Sequence, residues 1–302
     1  MNKDFRRFII HFLAFIVLLL LCDRIVGQIE NICYSRKNTK LTYAAYSSRQ
    51  DDIIILGSSR ASHHYIPAII SDTTNMSCVN LGEDGQNIYY HFALLNLLLE
   101  HNTPKVVVYE LLGIDFLQTD DKYSVDQLDK LAPIYRLNSR VDSLIELKGC
   151  KYMFAIRLFD SYRYNSRLFN VLIDSHQMDN GNGYVPISGE WTGEKGGKLG
   201  QANKFDLGKL QCLYTMIDMC HAHGVRIIVA VSPQYLKPDT DRREYFVVGE
   251  QCSRRGAYFI YHEKSLQDRS MFKDVMHMND KGAQWYSSLI AHEIKQYIKR
   301  KK

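Results

Sequence analysis

The stretch DIIILGSSRASHHY, residues 52–65, joins an apolar run to a small polar turn. Its run Ile53–Leu56 is short, continuous and rich in β-branched residues, which indicates a strand buried on both faces. A glycine and two serines follow at once, and in a parallel sheet this end of a strand is where ligands bind. The turn either ends a strand in an ordinary way or presents a serine hydroxyl, that of Ser59, for chemistry.

Four further apolar runs repeat this pattern, separated by segments with helical spacing. The apolar runs are MSCVNL, KVVVYEL, VRIIVAVS and AYFIYHE, and the helical segments include QNIYYHFALLNLLLEH, DLGKLQCLYTMIDMCHAHG, TDRREYFVVGEQCSRRG and DKGAQWYSSLIAHEIKQYIKR. Strands that alternate with helices predict a parallel sheet covered on both faces. Right-handed crossovers then give a three-layer, doubly wound α/β fold with its site at the carboxyl ends of the strands.

A long segment from about 117 to 205 interrupts the alternation. Its first part has helical periodicity, and its last part, DNGNGYVPISGEWTGEKGGKLG, is glycine-rich and loop-like. We interpret it as an insertion between the third and fourth strands that serves as a lid or a substrate-binding cap. The whole α/β domain is predicted to span 51–302.

The amino-terminal run FIIHFLAFIVLLLLC, Phe8–Cys22, contains no acidic or basic residue other than one histidine. Its apolar flanks extend it toward the roughly 20 residues that a spanning helix needs. Two arginines precede it, which predicts a cytoplasmic amino end and an extracytoplasmic domain. A cleaved signal peptide or a lipoprotein signal would need small residues that the run lacks. Residues 1–27 are therefore predicted to be a single-pass signal anchor, and the polar residues 28–50 a linker.

The charge and the cysteine spacing indicate which partners and cofactors the chain is expected to lack. The 302 residues carry a net charge of +5, much of it at the two ends, whereas a nucleic-acid-binding protein more often has a basic stripe with interleaved aromatics. No nucleic-acid partner is predicted. The seven cysteines fit no zinc spacing, and their odd number argues against a full disulfide framework, although a pair between distant cysteines stays open. No cofactor signature or acidic metal cluster is present in the sequence, so neither a cofactor nor a metal is predicted.

A catalytic serine needs a base to take its proton and a carboxylate to orient that base. The segment MFKDVMHMNDKGA, after the fifth strand, supplies Asp274 and His277. Residues three apart on one turn lie close enough for contact. We predict Ser59 as the nucleophile, His277 as the base and Asp274 as its orienting group. His63 and His64 lie nearer in sequence, but the chain turns into a helix there, and neither is favoured as the base.

Three segments together resemble the sequence blocks of the SGNH (GDSL-type) hydrolases: ILGSSRA, VNLGEDGQN and DVMHMNDKGA. The resemblance covers about 51–116 and 206–297. It implies the flavodoxin-like SGNH hydrolase fold and a triad of Ser59, His277 and Asp274. The GSSR form, the anchor and the insertion are closest to a membrane-anchored branch similar to the D-alanyl-lipoteichoic acid protein and to alginate O-acetylation proteins.

The sequence departs from the family pattern in the first and third blocks. Ser58 stands where members usually carry Asp, and ELLGIDF places Ile114 where an Asn usually gives a side-chain N–H to the oxyanion. The resemblance therefore implies an oxyanion hole made of the backbone amides of Ser59 and Gly85. Asn87 is a candidate substitute for the missing side-chain donor.

The resemblance and the anchor together predict a serine-dependent esterase or O-acyltransferase. Its substrates would be acyl esters, such as O-acetyl groups, of extracytoplasmic glycans or cell-envelope polymers, and a transferase would take its acyl group from a partner such as a membrane acyltransferase. Arg60 and Tyr235 are candidate substrate-binding residues, with pairing to a structural carboxylate as the alternative for Arg60. The alternative function is a catalytically weak SGNH-like scaffold that binds glycan or partner proteins.

Overall fold

The computed structural model describes residues 2–117, 128–150, 152–167, 178, 181–196, 204–237 and 243–300. Within them, the strands are β1 (Ile53–Gly57), β2 (Cys78–Asn80), β3 (Val106–Glu110), β4 (Arg226–Val231) and β5 (Tyr258–Tyr261). The α-helices are α1 (Lys3–Ser35), α2 (Lys40–Tyr46), α3 (Ser59–His64), α4 (Pro67–Thr74), α5 (Ile88–Leu99), α6 (Ser139–Lys148), α7 (Met153–Leu158), α8 (Leu207–Ala222), α9 (Arg243–Arg254) and α10 (Asp280–Lys299). Short 3-10 helices lie at Gly113–Phe116, Asp129–Ile134, Ser161–Arg167 and Arg269–Met271.

The strands form one parallel sheet in the order β2-β1-β3-β4-β5. This is the flavodoxin-like order, in which the winding reverses between β1 and β3. Ile53–Leu56, the apolar run of β1, is fully buried because helices cover both faces of the sheet. The predicted three-layer, doubly wound parallel fold is confirmed.

Two hydrophobic cores flank the sheet. Ile54 and Leu56 point to one face and pack with residues of α5, α8 and α9, whereas Ile53 and Ile55 point to the other and pack with α3, α4 and α10. Each of these fully buried side chains stabilises the fold by about 1.5–3 kcal/mol. The central strand is thereby held from both sides, and the turn that follows it starts from a fixed position.

The insertion leaves and rejoins the domain at a single neck. Leu117 and Phe205 pair there in an antiparallel bridge, at the predicted bounds of the segment. Its loop 181–196 packs on α3 and α10, because the Val185 amide donates to the Ser62 carbonyl at 3.0 Å and further bonds reach Asp280 and its neighbours. Other parts of the predicted insertion, at 118–127, 168–177 and 197–203, lie outside the described residues.

The amino-terminal segment differs from the predicted anchor over 1–27 followed by a linker over 28–50. The first helix continues without a break to Ser35, and α2 follows after four residues with a capping box at its start. Leu41 and Tyr43 are buried, and α2 packs against α5. The linker prediction was wrong because a segment that is polar on average still places its apolar side chains on one face.

The helix α1 is long and apolar enough to cross a membrane, and it is the one such helix among the described residues. Its 33 residues extend about 50 Å. The side chains from Phe5 to Cys22 are almost all exposed, whereas Gly27, Glu30 and Tyr34 are buried against the domain. The helix therefore has a free apolar part and a docked part.

All seven cysteines lie among the described residues, and none of them forms a disulfide there. Five of them are buried. Cys78 is one of these; it begins β2, and its side chain packs as a small apolar group in the core on one face of the sheet, as its apolar neighbours predict.

Candidate active site

Ser59 is the first residue of α3 and follows β1 after one intervening residue. Gly57 ends the strand with a φ of +139°, and a Cβ there would lie 2.9 Å from the Glu110 Cβ and 3.0 Å from the Ala61 Cβ. Glycine is therefore required both by the backbone conformation and by the space available. This turn leaves the Ser59 side chain half-buried at the carboxyl edge of the sheet.

Ser59, His277 and Asp274 form a continuous chain of hydrogen bonds. The Ser59 Oγ lies 2.8 Å from the His277 Nε2, and the His277 Nδ1 lies 2.9 Å from the Asp274 Oδ2. The structure thus brings together three residues that are up to 218 positions apart in sequence. Each was chosen from the sequence for a different part of one reaction.

The contacts fix where the ring proton of neutral His277 lies. A carboxylate accepts hydrogen bonds only, so the Nδ1 that faces Asp274 carries the proton. The Nε2 lone pair then accepts a hydrogen bond from the Ser59 hydroxyl. This is the tautomer that a base acting on serine requires.

The Asp274 carboxylate also holds its own loop. Its Oδ1 accepts the backbone amides of Met276 at 2.7 Å and His277 at 2.8 Å. Partial burial acts to raise the pKa of Asp274, but the hydrogen bonds from the His277 ring and from these amides outweigh it and lower the pKa below its ordinary value. The group that orients the imidazole is therefore a carboxylate at neutral pH.

The amides predicted to hold an oxyanion are those of Ser59 and Gly85. The Ser59 amide lies in the first turn of a helix and has no intrahelical acceptor. Gly85 is exposed, with a φ of +69° and open space where a Cβ would lie. Within the described ranges, neither amide donates to another group of the protein. Both are available to a ligand oxygen.

The loop that carries Gly85 is held by α2. Lys40 is half-buried, and its Nζ donates to the Ser62 Oγ at 3.1 Å and to the Gly82 carbonyl. Burial lowers the pKa of Lys40, and the nearby Glu83 carboxylate opposes that shift. Sequence reasoning missed Lys40 because its segment was assigned to a linker.

Arg60 does not face the substrate side of the turn. Its side chain is 1% exposed, and its guanidinium pairs at 2.6 Å with Glu110, which is equally buried. It also donates to Ser232 and to Tyr245. The substrate-binding interpretation of Arg60 was wrong, and the alternative, a structural ion pair, is the one observed.

His64 joins this buried network to the catalytic loop. Its Nδ1 lies 2.7 Å from the Ser232 Oγ, and its Nε2 accepts the Met278 amide at 3.0 Å. Burial, followed by the charge of Arg60, lowers the pKa of His64 well below its ordinary value, so the ring is neutral. His64 therefore fixes the residue next to His277 and is too deep in the protein to be the general base.

His63 bridges two loops. Its Nδ1 lies 2.7 Å from the Val185 carbonyl and its Nε2 lies 3.0 Å from Asp84, which precedes Gly85. Partial burial acts to raise the pKa of Asp84, but the hydrogen bond from His63 helps to lower it below its ordinary value. His63 thus ties the insertion to the Gly85 loop, and neither of its nitrogens faces Ser59.

Asn87 and Tyr235 occupy different kinds of position. The Asn87 Oδ1 caps α5 by accepting the Tyr89 amide at 3.0 Å, and the residue is 5% exposed. Its role in the fold is therefore helix capping, which an Asn before an apolar helix could have indicated. Tyr235 is half-buried beside the catalytic loop: its amide donates to the Val275 carbonyl at 2.9 Å, and its ring packs on Phe272.

Asp115 lies in the 3-10 helix after β3, next to the position of the missing third-block Asn. Burial raises the pKa of Asp115 to about 7, although the charges of Lys209 and Arg60 act to lower it. Sequence reasoning did not single out Asp115. The only feature of the sequence that could have pointed to it is its position just after the third strand, at the carboxyl edge of the sheet.

No family model and no curated protein matches the sequence. Several solved structures are similar to it. A psychrotrophic esterase from a Pseudoalteromonas species is 12% identical, with 83% of this chain and 100% of that chain covered and a TM-score of 0.42. An acetyl-xylooligosaccharide esterase from Geobacillus is 10% identical over 84% and 98%, also with a TM-score of 0.42.

A GDSL-like lipase from Bacteroides thetaiotaomicron is 11% identical, with 82% and 86% of the chains covered and a TM-score of 0.38. At these identities and scores we transfer no activity or site from these proteins.

Proposed function

We propose that this chain is an SGNH-type, serine-dependent esterase or O-acyltransferase. The observation that carries the proposal is the chain of hydrogen bonds from Ser59 through His277 to Asp274, with distances of 2.8 and 2.9 Å. A serine whose hydroxyl faces the free lone pair of an imidazole is an activated nucleophile. A loop histidine with only a surface role would not need a carboxylate on its Nδ1 and a serine hydroxyl on its Nε2.

In the proposed reaction, the Ser59 Oγ attacks the carbonyl carbon of an ester while His277 takes the hydroxyl proton. His277 then gives that proton to the leaving alcohol, and the acyl group remains on Ser59. Water or a glycan hydroxyl attacks next, His277 takes its proton, and the proton returns to Ser59 as the acyl group leaves. General acid–base catalysis of this kind contributes about 10²–10⁴-fold.

The oxyanion of each tetrahedral intermediate would be held by the amides of Ser59 and Gly85. The family's third donor is a side-chain amide that this chain lacks at Ile114. Removal of one oxyanion donor lowers turnover by about 10²–10³-fold in other serine hydrolases. We therefore expect turnover to be slow in comparison with enzymes that have all three donors.

The proposed substrates are acyl esters, such as O-acetyl groups, on extracytoplasmic glycans or cell-envelope polymers. The support is the apolar part of α1 with two arginines before it, which favours an anchored domain outside the cytoplasm. Tyr235, half-buried beside the catalytic loop, is the candidate for contact with a sugar. If the acceptor is a glycan hydroxyl, the acyl donor would come from a membrane acyltransferase.

A second candidate is a catalytically weak scaffold that binds glycan or partner proteins. The missing third donor favours it. The intact triad contacts disfavour it, because a scaffold has no need of a serine aligned with a base.

Hydrolysis of short-chain chromogenic esters by the full chain in detergent tests the proposal. Ser59→Ala should abolish turnover, whereas the neighbouring Ser58→Ala should retain it because the Ser58 side chain makes no capping bond to α3. Equal turnover by wild type and Ser59→Ala would contradict the proposal. With an O-acetylated polysaccharide as substrate, an esterase releases acetate. With an unmodified glycan added beside an ester donor, a transferase attaches the acyl group to the glycan.

A further inference from the structure

A short stretch of the insertion exposes apolar side chains that a folded domain would normally cover. Phe154 in α7 is 78% exposed, and Leu158, one helical turn later on the same side, is 43% exposed. Tyr152 and Phe159, which flank α7, are also exposed. Large exposed apolar groups this close together mark a surface that contacts something else. We call these four residues the α7 surface.

The α7 surface is attached to α1 where the apolar run of that helix ends. Arg24, two residues after the run, donates to the Leu158 carbonyl at 3.0 Å and pairs with Asp160 at 2.6 Å. Asp23 accepts the Asp160 amide at 2.7 Å and the Ser161 hydroxyl at 2.6 Å. These bonds fix the height of α7 along α1.

The contact between the two elements is also close. A Cβ on Gly27 would lie 2.5 Å from the Asp160 Cβ, so α1 and the segment after α7 approach to backbone distance. A junction of this kind holds the α7 surface in a constant orientation to the apolar part of α1.

Helix geometry places the α7 surface at the edge of the span. Two residues correspond to about 3 Å along a helix axis, and each interfacial layer of a bilayer is about 5–8 Å thick, from total and hydrocarbon thicknesses of about 40–45 and 30 Å. If Cys22 lies at the hydrocarbon boundary, Leu158 therefore lies within the adjoining interfacial layer.

The outer side of α1 remains apolar beyond that point. Ile25, Ile29 and Ile32 are exposed, while Gly27 and Tyr34 face the domain. From Phe8, the first residue after the two arginines, to Ile32 the exposed apolar side extends about 36 Å, which is more than the hydrocarbon thickness of about 30 Å. A span of this length is accommodated by tilt, and tilt brings one flank of an attached domain onto the membrane surface.

We propose that the α7 surface lies in the headgroup–acyl boundary of the bilayer that holds α1. The proposal rests on α1 being a membrane anchor, as in the proposed function. Aromatic and long aliphatic side chains at this depth are stabilised by burial of their apolar atoms while polar groups stay hydrated. The domain is then held against the membrane at two places, which orients it as well as tethering it.

Lipid is the favoured occupant because the α7 surface is continuous with the free part of α1. A soluble partner or a second copy of the chain would have to cover apolar residues within one interfacial layer of the span. Insertion of α1 brings the same surface against the interfacial layer of the membrane, so no further partner is needed to cover it.

Quenching of tryptophan fluorescence by brominated lipid tests the proposal on the full chain in phosphatidylcholine nanodiscs. The native tryptophans are first removed as Trp191→Phe and Trp285→Phe, and single tryptophans are then introduced as Phe154→Trp, Leu158→Trp, Leu18→Trp or Phe246→Trp. Phe246 is the matched control because it is a 56% exposed phenylalanine on α9, which packs on the edge strand β5.

We expect brominated lipid to reduce emission at positions 18, 154 and 158 and to leave position 246 unchanged. Quenching at 18 with none at 154 and 158 would overturn the inference and leave the anchor in place. Absence of quenching at 18 would refute the anchor itself, and with it the inference. Blue-shifted emission at 154 without quenching would mean that protein, from a partner or a second copy, covers the surface, which also overturns it.

Discussion

Two chains of hydrogen bonds include residues of α3 that contact the loop of His277, and they differ in their access to water. The first joins Ser59, His277 and Asp274, whose imidazole and carboxylate side chains are 24% and 42% exposed. The second joins His64, Ser232 and Glu110 with all members buried. The comparison fits the proposed division of roles, in which the open chain exchanges protons with a substrate and the closed chain holds the loop that carries His277.

Substitution of a residue in the open chain has the largest expected effect, and the quantity that it lowers is ester turnover. His277→Ala removes the base, so ester turnover should fall by about four orders of magnitude or more. The melting temperature should stay close to that of the wild type because the side chain is half-exposed. Turnover and thermal unfolding measured on the same preparation check both parts, and a large loss of stability would remove the distinction between the chains.

Loss of a member of the closed chain should fall first on stability. Glu110→Gln removes the partner of buried Arg60 and should lower the free energy of unfolding by about 3–5 kcal/mol. Glu146→Gln is the control, because Glu146 pairs with Arg157 at the surface, where water screens the pair and its loss should change stability little. Denaturant unfolding of the two variants checks this, and equal losses would contradict the assignment of Glu110 to a supporting role.

Asp115 offers a pH-dependent test of the carboxyl edge. Its pKa is raised to about 7 in the folded protein, so the folded state holds a proton that the unfolded state releases. Stability is then lost as the pH rises toward 7, and Asp115→Asn avoids that loss. The variant should gain roughly 2 kcal/mol on the wild type between pH 5 and pH 8. A constant difference in unfolding free energy at the two pH values would show that Asp115 titrates as an ordinary carboxyl.

His64→Leu, whose side chain has no hydrogen-bond acceptor, examines the bond that links the two chains. Loss of the acceptor for the Met278 amide should let the His277 loop shift, and kcat should fall about tenfold with little change in KM. A merely structural role would lower the amount of folded enzyme without changing the kcat of the folded fraction. Active-site titration beside steady-state kinetics separates these results.

The sheet, and the contacts among Ser59, His277 and Asp274, could be predicted because their sequence signals are local. The apolar run before Gly57 indicates a buried strand, and the spacing of Asp274 and His277 brings them onto one turn. Sequence order along the fold then places both at the carboxyl edge. The prediction of the insertion between Leu117 and Phe205 rests on the same alternation of strands and helices.

The supporting contacts were not predictable in this way because they join distant residues of ordinary type. Arg60 and Glu110 are 50 positions apart, and neither is distinguished by its neighbours. Lys40 lies in a polar segment whose few apolar residues, such as Leu41, are enough to pack the segment on the domain. Asn87 is the exception, since its position before an apolar helix is a recognisable capping signal.

The most direct test of the central claim is labelling of the full chain with a fluorophosphonate, followed by peptide mapping. This probe reacts with a serine only when a base activates its hydroxyl. We predict a single adduct on Ser59 in the wild type and in Ser58→Ala, and none in His277→Ala or Ser59→Ala. A folded wild-type protein that carries no adduct on Ser59 would contradict the claim that its serine, histidine and aspartate form a working nucleophile.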